Sequence, residues 1–436
     1  MSFLDWTDRL PVGWEAKPLR STVDYVVSNV DKVPAEDEAP VRLCNYTDVY
    51  NNEFITLALD FMQATASEEE IAKFGLCVDD VAITKDSESW DDIGVPALVR
   101  ETASDLVCGY HLALLRPHKQ KMDGAFLFRC LQAKSVRVQL ELAANGVTRF
   151  GIPKSEIGAM TLPVPPLLQQ RAIADYLDRE TARLDALVAA KERVLGLLAE
   201  KRRALITRAV TRGLDPSAPL RDSGIPWLGE IPAHWGVVQL KRAALVIDCK
   251  HKTVPFVNEG IPLASIREVQ SWGVDLSSAK MTTEDEYLLM IEGERDPRAG
   301  DVIVSRNATV GAAALVPHGL RFCMGQDVSL VRPQVGLEPS FLNWLFRSDA
   351  VANQVISASI GSTFSRINVE QIKELIIPLP GFGEQGAIVS HLATETSKLY
   401  AVRAATERTI ELIKERRSAL IAAAVTGQLE VPEVIA

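Results

Sequence analysis

The chain repeats itself. Displaced by 215 positions, residues 163–211 fall on residues 378–426 without a gap, and 23 of the 49 aligned positions are identical. Pro163, Pro165, Gln170, Leu177, Glu180, Thr181 and Leu184 meet Pro378, Pro380, Gln385, Leu392, Glu395, Thr396 and Leu399. Two like halves can present two like surfaces about a pseudo-twofold axis. That geometry suits a target with two parts.

The repeat extends beyond its best-matched part. Leu10-Pro11 and Trp14 resemble Ile231-Pro232 and Trp235 at an offset of 221, and Asp80-Val81 resembles Asp301-Val302 at the same offset. Leu115-Arg116-Pro117 meets Val331-Arg332-Pro333 at 216, and Phe126-Leu127 meets Phe341-Leu342 at 215. The register thus slips by six residues in the first part of each half and then locks. Insertions concentrate in loops, so each half joins a variable globular part to an element of fixed length.

The locked element reads as a long helix. Pro163, Pro165 and Pro166 in one copy, and Pro378 and Pro380 in the other, stand where proline is tolerated, at or before a first turn. Leu177, Leu184, Leu198 and Leu205 follow at heptad spacing, as do Leu392, Leu399, Ile413 and Leu420. Gly213 and Gly427 lie where a helix would stop. Some 43 residues at a 1.5 Å rise give roughly 65 Å. So regular a seam asks for a partner helix, and the other copy can supply it. Glu180-Thr181, Glu395-Thr396, Arg202 and Arg417 interrupt the seam. They are either solvated polar positions or a basic helix end that contacts a protein or a phosphate. The globular parts show short β-type runs at 54–57, 81–83 and 302–304, with helical stretches at 125–131 and 339–346. Residues 213–230, with Pro216, Pro219, Gly224 and Pro226, form the linker between halves.

Charge and motifs narrow the function. The net charge of −10 weighs against a large non-specific DNA-binding surface. It is unevenly spread: residues 1–163 carry −9 and residues 214–378 carry −4, while the two repeated helical segments together carry +3. The start has no signal-peptide pattern and no run is long enough to span a membrane, so a cytoplasmic location is expected. Six isolated cysteines fit a reducing compartment. There is no Walker A loop, GxGxxG, HExxH, GxSxG, CxxC or Asn/Asp-Pro-Pro-aromatic motif, and the six histidines have no metal spacing. Glu15-Ala-Lys17 has the carboxylate-x-lysine form of some nucleases but lacks a recognisable acidic partner. No catalytic site and no metal site is therefore expected.

The alternation of variable part and repeated helix resembles the specificity (S) subunit of type I restriction–modification systems. The motifs that carry the likeness are the run from Asp222 through Trp227 to Trp235, Gly300-Asp301 to Ser305-Arg306, Ile377 to Pro380 with Glu384-Gln385, and Leu420-Ile421 with Val425-Thr426-Gly427. In the first copy Gln169-Gln170 stands for Glu-Gln, and Arg212 follows Thr211 in place of glycine. The resemblance implies an α+β fold: two mixed α/β target recognition domains separated by two long helices that pair as an antiparallel coiled coil. The boundaries are 1–163, 164–213, 214–378 and 379–436. It also implies that each domain reads one half of a split double-stranded DNA target and that the helices set the gap. Two modification (M) subunits would bind the helices and methylate adenine from S-adenosylmethionine, and restriction (R) subunits would use ATP and Mg. No cofactor would sit on this chain. A helical scaffold with two protein-binding domains is the alternative.

Aligned positions nominate DNA-contacting residues. Asn45, Tyr46 and Thr47 match Ser265, Ile266 and Arg267, and Lys85 matches Arg306. Thr148, Arg149 and Lys154 lie opposite Thr363 and its neighbours, with Arg366 beside them. Asn, Arg and Lys read adenine and guanine edges, whereas Ser, Thr and Lys more often hold phosphates. Each could equally be an ordinary surface residue. Tyr46 and Trp272 could stack on a base or lie in a core. Arg202, Arg203, Arg416 and Arg417 are the candidates for binding partner subunits.

Overall fold

The computed structural model describes residues 5–270, 272–307, 312–359 and 366–431. The chain forms two compact units, residues 1–192 with 408–436 and residues 193–407. Each long helix therefore contributes one part of its length to each unit.

The first unit contains β1 (Glu15–Pro18), β2 (Val23–Val27), β3 (Ala39–Cys44), α1 (Tyr46–Asn51), β4 (Phe54–Ile55), β5 (Met62–Ala66), α2 (Glu68–Phe74), β6 (Val81–Thr84), β7 (Asp86–Ser87), β8 (Pro96–Val99), β9 (Leu106–Cys108), β10 (Leu112–Pro117), α3 (Gly124–Gln132), α4 (Lys134–Ala143), β11 (Asn145–Gly146), β12 (Phe150–Gly151), α5 (Lys154–Ala159), β13 (Thr161–Val164) and the start of α6 (Leu167–Arg212). The second contains the end of α6, β14 (Leu220–Asp222), β15 (Glu230–Pro232), β16 (Gly236–Gln239), β17 (Ala244–Asp248), β18 (Ile261–Ala264), β19 (Met281–Thr282), α7 (Glu284–Met290), β20 (Val302–Ser305), β21 (Ala313–Leu315), β22 (Cys323–Met324), β23 (Val328–Pro333), α8 (Pro339–Phe346), α9 (Asp349–Ser359), α10 (Val369–Lys373), β24 (Ile376–Leu379) and the start of α11 (Phe382–Val425). The end of α11 belongs to the first unit. The linker leads through the β14–β15 hairpin, whose connection uses Gly224 and Gly229 at φ 75° and 64°.

Each unit is built on one sheet with a core on either side. In the first the strand order is β2-β10-β6-β8-β4, and in the second β17-β23-β20-β21. In the second, a parallel bridge from Gly273 to Leu315 takes the place of β4. All four residues of β6 are buried, as are all four of β20. Successive side chains of a strand face opposite ways. Val81 and Ile83 accordingly enter the core under α3 and α4, while Ala82 enters the core under β3 and β9. Val302 and Val304 divide from Ile303 in the same manner. An unbroken apolar run is what such a two-sided strand requires.

Several repeated residues are anchors of this frame. Asp80, nearly inaccessible, accepts from Arg116 Nε and Nη2 at 2.9 and 2.7 Å and from the Cys77 amide at 2.8 Å. Asp301 accepts from Arg332 Nε and Nη2, both at 2.9 Å, and from the Arg298 amide at 2.8 Å. The helix starts are clamped alike. Gln170 is 0% exposed; its Oε1 accepts from the Asp123 amide (2.8 Å), and its Nε2 donates to the carbonyls of Lys121 and Pro165 (both 2.9 Å). Gln385 makes the same three bonds, with the Glu338 amide and the carbonyls of Gly336 and Pro380. Trp14 and Trp235 donate their indole N–H groups to Gln169 Oε1 and Glu384 Oε2.

The two expected helices are present and span 46 and 44 residues, about 69 and 66 Å at 1.5 Å per residue. Their C-terminal stops fall at Gly213 and Gly427, both in the left-handed region at φ 72° and 69°. Within each unit the helices run antiparallel. In the first, Ile173 shares a cavity wall with Gly427, and Asp185 binds Arg417. In the second, Arg202 faces Tyr400 while Val210 and Leu392 enter one core. Thr181 and Thr396, candidates for solvated positions, are buried. Each hydroxyl donates to the carbonyl one turn back, of Leu177 or Leu392, so a polar residue is accommodated without a partner helix supplying an acceptor.

Candidate nucleic-acid interface

In both units the C-terminal end of a central strand, β6 or β20, meets the segment that leads into the short helix before the long one. The Lys85 amide donates to His111 O, and the Ile152 amide donates to Lys85 O. The Arg306 amide donates to Asp327 O, and the Ile367 amide donates to Arg306 O. His111 and Asp327 hold the same left-handed conformation, φ 72° and 61°, unusual for residues with a side chain. Lys85 and Arg306 therefore occupy one structural position, as their alignment suggests.

Their side chains are engaged differently. Lys85 Nζ binds Asp86 Oδ1 at 2.9 Å, and His111 Nδ1 lies 2.7 Å from Asp86 Oδ2. Burial pushes the Asp86 carboxyl up, but the bonds from His111 and Lys85 outweigh it and hold the group below its usual value. Arg306 is 3% exposed, with Nη1 3.1 Å from Asp248 Oδ1 and Nη2 3.4 Å from His251 Nε2. Asp248, Cys249 and His251 offer atoms of metal-ligand type within 4.8 Å of one another. The Arg306 charge against Asp248 opposes a cation there, and burial pushes the Cys249 thiol up.

Tyr46, Thr148 and Arg149 line one cavity of about 670 Å³, together with Tyr50, Ser87 and Asp92. Tyr46 and Tyr50 stack with ring centroids 5.6 Å apart, one turn apart on α1. Thr148 and Arg149 sit in the β11–β12 hairpin and are exposed, and among the described residues Arg149 has no ion pair. Thr47 is exposed on α1. Lys154 opens α5, its ammonium 5.9 Å from the Tyr25 ring, outside this cavity.

Asn45 and Ser265 are helix caps. Asn45, 8% exposed, forms a reciprocal box with Asp48 at the start of α1, and Ser265 does so with Glu268 at the one-turn helix Ile266–Val269. Arg267 is exposed and binds Glu268 and the Ser278 carbonyl. Arg366 is exposed, 3.2 Å from Asp327 Oδ1. Thr363 lies outside the described residues. Trp272, a candidate for base stacking, packs on Trp344 with centroids 4.2 Å apart. Of the helix arginines, Arg203 pairs with Asp349, Arg417 with Asp185 and Glu53, and Arg416 is exposed. Tyr50, Ser87, Asp86 and His111 were not singled out from the sequence. Only the fold sets them beside Arg149 and Lys85.

A family profile described as "Type I restriction modification DNA specificity domain" matches residues 252–411. A Methanocaldococcus jannaschii chain provisionally named type I restriction enzyme MjaX specificity subunit is 22% identical over 97% of this chain and 95% of its own length. The EcoKI specificity subunit of Escherichia coli K12 is likewise 22% identical over 97% of this chain and 90% of its own. Over nearly its whole length this chain is similar to type I specificity subunits. The fold of such subunits is shared as well. The HsdS subunit from Thermoanaerobacter tengcongensis superposes over 96% of this chain and 98% of its own, with TM-score 0.57 and 18% identity. A chain from a structure concerned with complex assembly and conformational transition of a type I R-M system reaches a TM-score of 0.72, also at 18% identity, over 96% of this chain and 99% of that one. Among the described residues, no helix is long and apolar enough to cross a membrane.

Proposed function

We propose that this chain is the DNA-specificity subunit of a type I restriction–modification complex, in which each unit reads one half of a bipartite target. One observation carries the proposal: the two units share a frame down to single hydrogen bonds, yet differ at the rim. Asp80 and Asp301, and Gln170 and Gln385, do the same work in both. Around the equivalent Lys85 and Arg306, the first unit sets Tyr46, Thr47 and Gly151 where the second sets Ile266, Arg267 and Arg366. One frame with two rims suits two different half-sites. A symmetric protein-binding scaffold would have less reason to vary the rim.

In this reading Arg149 and Tyr46 meet base edges, because an arginine fork matches guanine O6 and N7. Lys154, Thr47 and Thr148 hold phosphates, and Arg267 and Arg366 serve in the second unit. The long helices set the gap and take the modification subunits. The chain does no chemistry of its own. S-adenosylmethionine, ATP and magnesium would be held by the modification and restriction subunits. The test is co-expression with the neighbouring modification subunit and mapping of modified adenine in the host genome. One split motif should vanish when this gene is deleted, and survival of every split motif would refute the proposal. Removing one heptad from a helix should alter or abolish recognition of the native gap.

A further inference from the structure

Each unit has a cavity where the second part of one helix meets the sheet, and the repeat makes the two cavities counterparts. That of the first unit, about 390 Å³, is lined by Glu53, Gln132, Lys414, Arg417 and Ile421 among others. That of the second, about 410 Å³, is lined by Arg202, Ile206, Arg347 and Tyr400 among others. Arg417 corresponds to Arg202, Gln132 to Arg347, Ile421 to Ile206 and Asp185 to Tyr400, each at an offset of 215. Glu53 corresponds to Trp272, since their carbonyls accept from the equivalent strand amides of Leu98 (2.9 Å) and Leu315 (3.0 Å).

The chemistry of the two cavities is opposite. In the first, Arg417 is closed off by carboxylates: Nε lies 2.9 Å from Asp185 Oδ1 and Nη2 2.6 Å from Glu53 Oε1. In the second both carboxylates are replaced by aromatic rings. Arg202 lies 4.9 Å from the Tyr400 ring and Arg347 5.2 Å from the Trp272 ring. Arg202 Nε is buried and has no hydrogen-bond partner among the described residues. Where the first unit has a neutral Gln132, Arg347 adds a second cation. Burial, and then the charge of Arg202, holds Arg347 below the usual guanidinium value, with Tyr400 opposing. At the rim Arg203 and Arg403 already have carboxylates, Asp349 and Glu407. The floor is apolar: Leu195, Leu198, Ile206, Phe346 and Leu399.

We propose that the cavity of the second unit docks one acidic side chain carried on an apolar segment of a partner polypeptide, a contact that the first unit supplies to itself through Asp185 and Glu53. A buried guanidinium N–H without an acceptor is a vacancy of definite chemistry. The chain's own choice in the counterpart cavity is a carboxylate. The hydrocarbon floor suits a peptide side chain and would be idle against a phosphodiester. Each chain therefore takes one such contact, not two. The inference rests on the proposed function only in expecting a partner polypeptide on the helices.

The test uses the full chain and two probes, the C-terminally amidated peptides N-acetyl-Leu-Asp-NH2 (the acid) and N-acetyl-Leu-Asn-NH2 (the amide), which differ only in the side-chain carboxylate, followed by tryptophan fluorescence from Trp272 and Trp344 and by thermal melting. The acid should bind at least about tenfold more tightly than the amide, a gap of 1.4 kcal/mol. Arg202→Gln should erase the difference with an unchanged far-ultraviolet dichroism spectrum. Tyr400→Asp, which imports the residue of the first unit, should raise the melting temperature without probe and abolish the preference for the acid. Equal binding of acid and amide, or an undiminished preference in Tyr400→Asp, overturns the proposal. So does displacement of the dipeptide by inorganic phosphate at lower concentration. A chain that reads its split DNA normally but ignores both probes sinks this inference alone. A chain that prefers the acid but directs no split-motif methylation sinks the proposed function alone.

Discussion

Replacing Gln170 by leucine should destabilise the first unit by about 3–5 kcal/mol. Gln170 is fully buried and spends both its N–H donors and its amide oxygen on three backbone groups: the Asp123 amide and the carbonyls of Lys121 and Pro165. Leucine fills a similar volume but strands one N–H and two C=O groups. Each stranded group costs about 1–3 kcal/mol, and carbonyls tolerate it better than amides. The corresponding fall in melting temperature is roughly 2–4 °C per kcal/mol for a unit of this size. Glutamate at the same position makes the reasoning sharper. Only the protonated acid can donate to a carbonyl, so the folded state raises its pKa above the unfolded value of about 4.3. Its stabilising contribution is full below that value and is lost as pH rises through the raised folded pKa. Urea denaturation of Gln170→Glu and Gln170→Leu should therefore give similar loss near pH 7.5, with the glutamate variant recovering relative to leucine near pH 4.5. A loss under about 1 kcal/mol for leucine, or a pH-independent gap between the two variants, would refute the clamp.

Asp301→Ala should cost about 3–5 kcal/mol in the second unit, because it leaves Arg332, a mostly buried cation, without its carboxylate partner; chemical denaturation reads this directly. The depressed Asp86 carboxyl contributes stability that is present above its unfolded pKa of about 3.9 and lost as pH falls through the lower folded value. Asp86→Asn should flatten that acid limb of the stability–pH curve. Arg149→Ala should weaken DNA binding in a gel-shift assay while leaving the melting temperature unchanged. Asn45→Ala should instead lose about 1 kcal/mol of stability through its cap, and any loss of DNA binding should track unfolding. Gly427→Ala should lower stability by about 1 kcal/mol or more, since φ is +69° and the added methyl would meet the Pro11 ring.

The helices were legible because their signals are local. Heptads, flanking prolines and Gly213 and Gly427 all lie within one element, and the observed ends agree with them. The central strands were legible as short apolar runs, though not the reason for the runs, a core on each face. Roles made by distant pairing were not legible. Gln170 and Gln385 stood out as identities, but the turns they clamp lie 47 residues away. Arg417 looked like a free basic residue, while Asp185 and Glu53 wait 232 and 364 residues earlier. Asn45 and Ser265 drew attention because the same short polar side chains suit base edges and helix starts, and only the backbone around them separates the two uses.

The sharing of helices also sets an order of events. The first unit is encoded first, yet its core includes Ile421, Ala424 and Val425. Chain synthesis runs from the N-terminus, and domains ordinarily fold in that order. Here the first unit stays open until the last of α11 has left the ribosome, by which time every residue of the second unit, which ends at Glu407, has already been made. The nascent chain therefore finishes in reverse, second unit before first, and its last-made helical turns are the bolt that shuts the part made earliest.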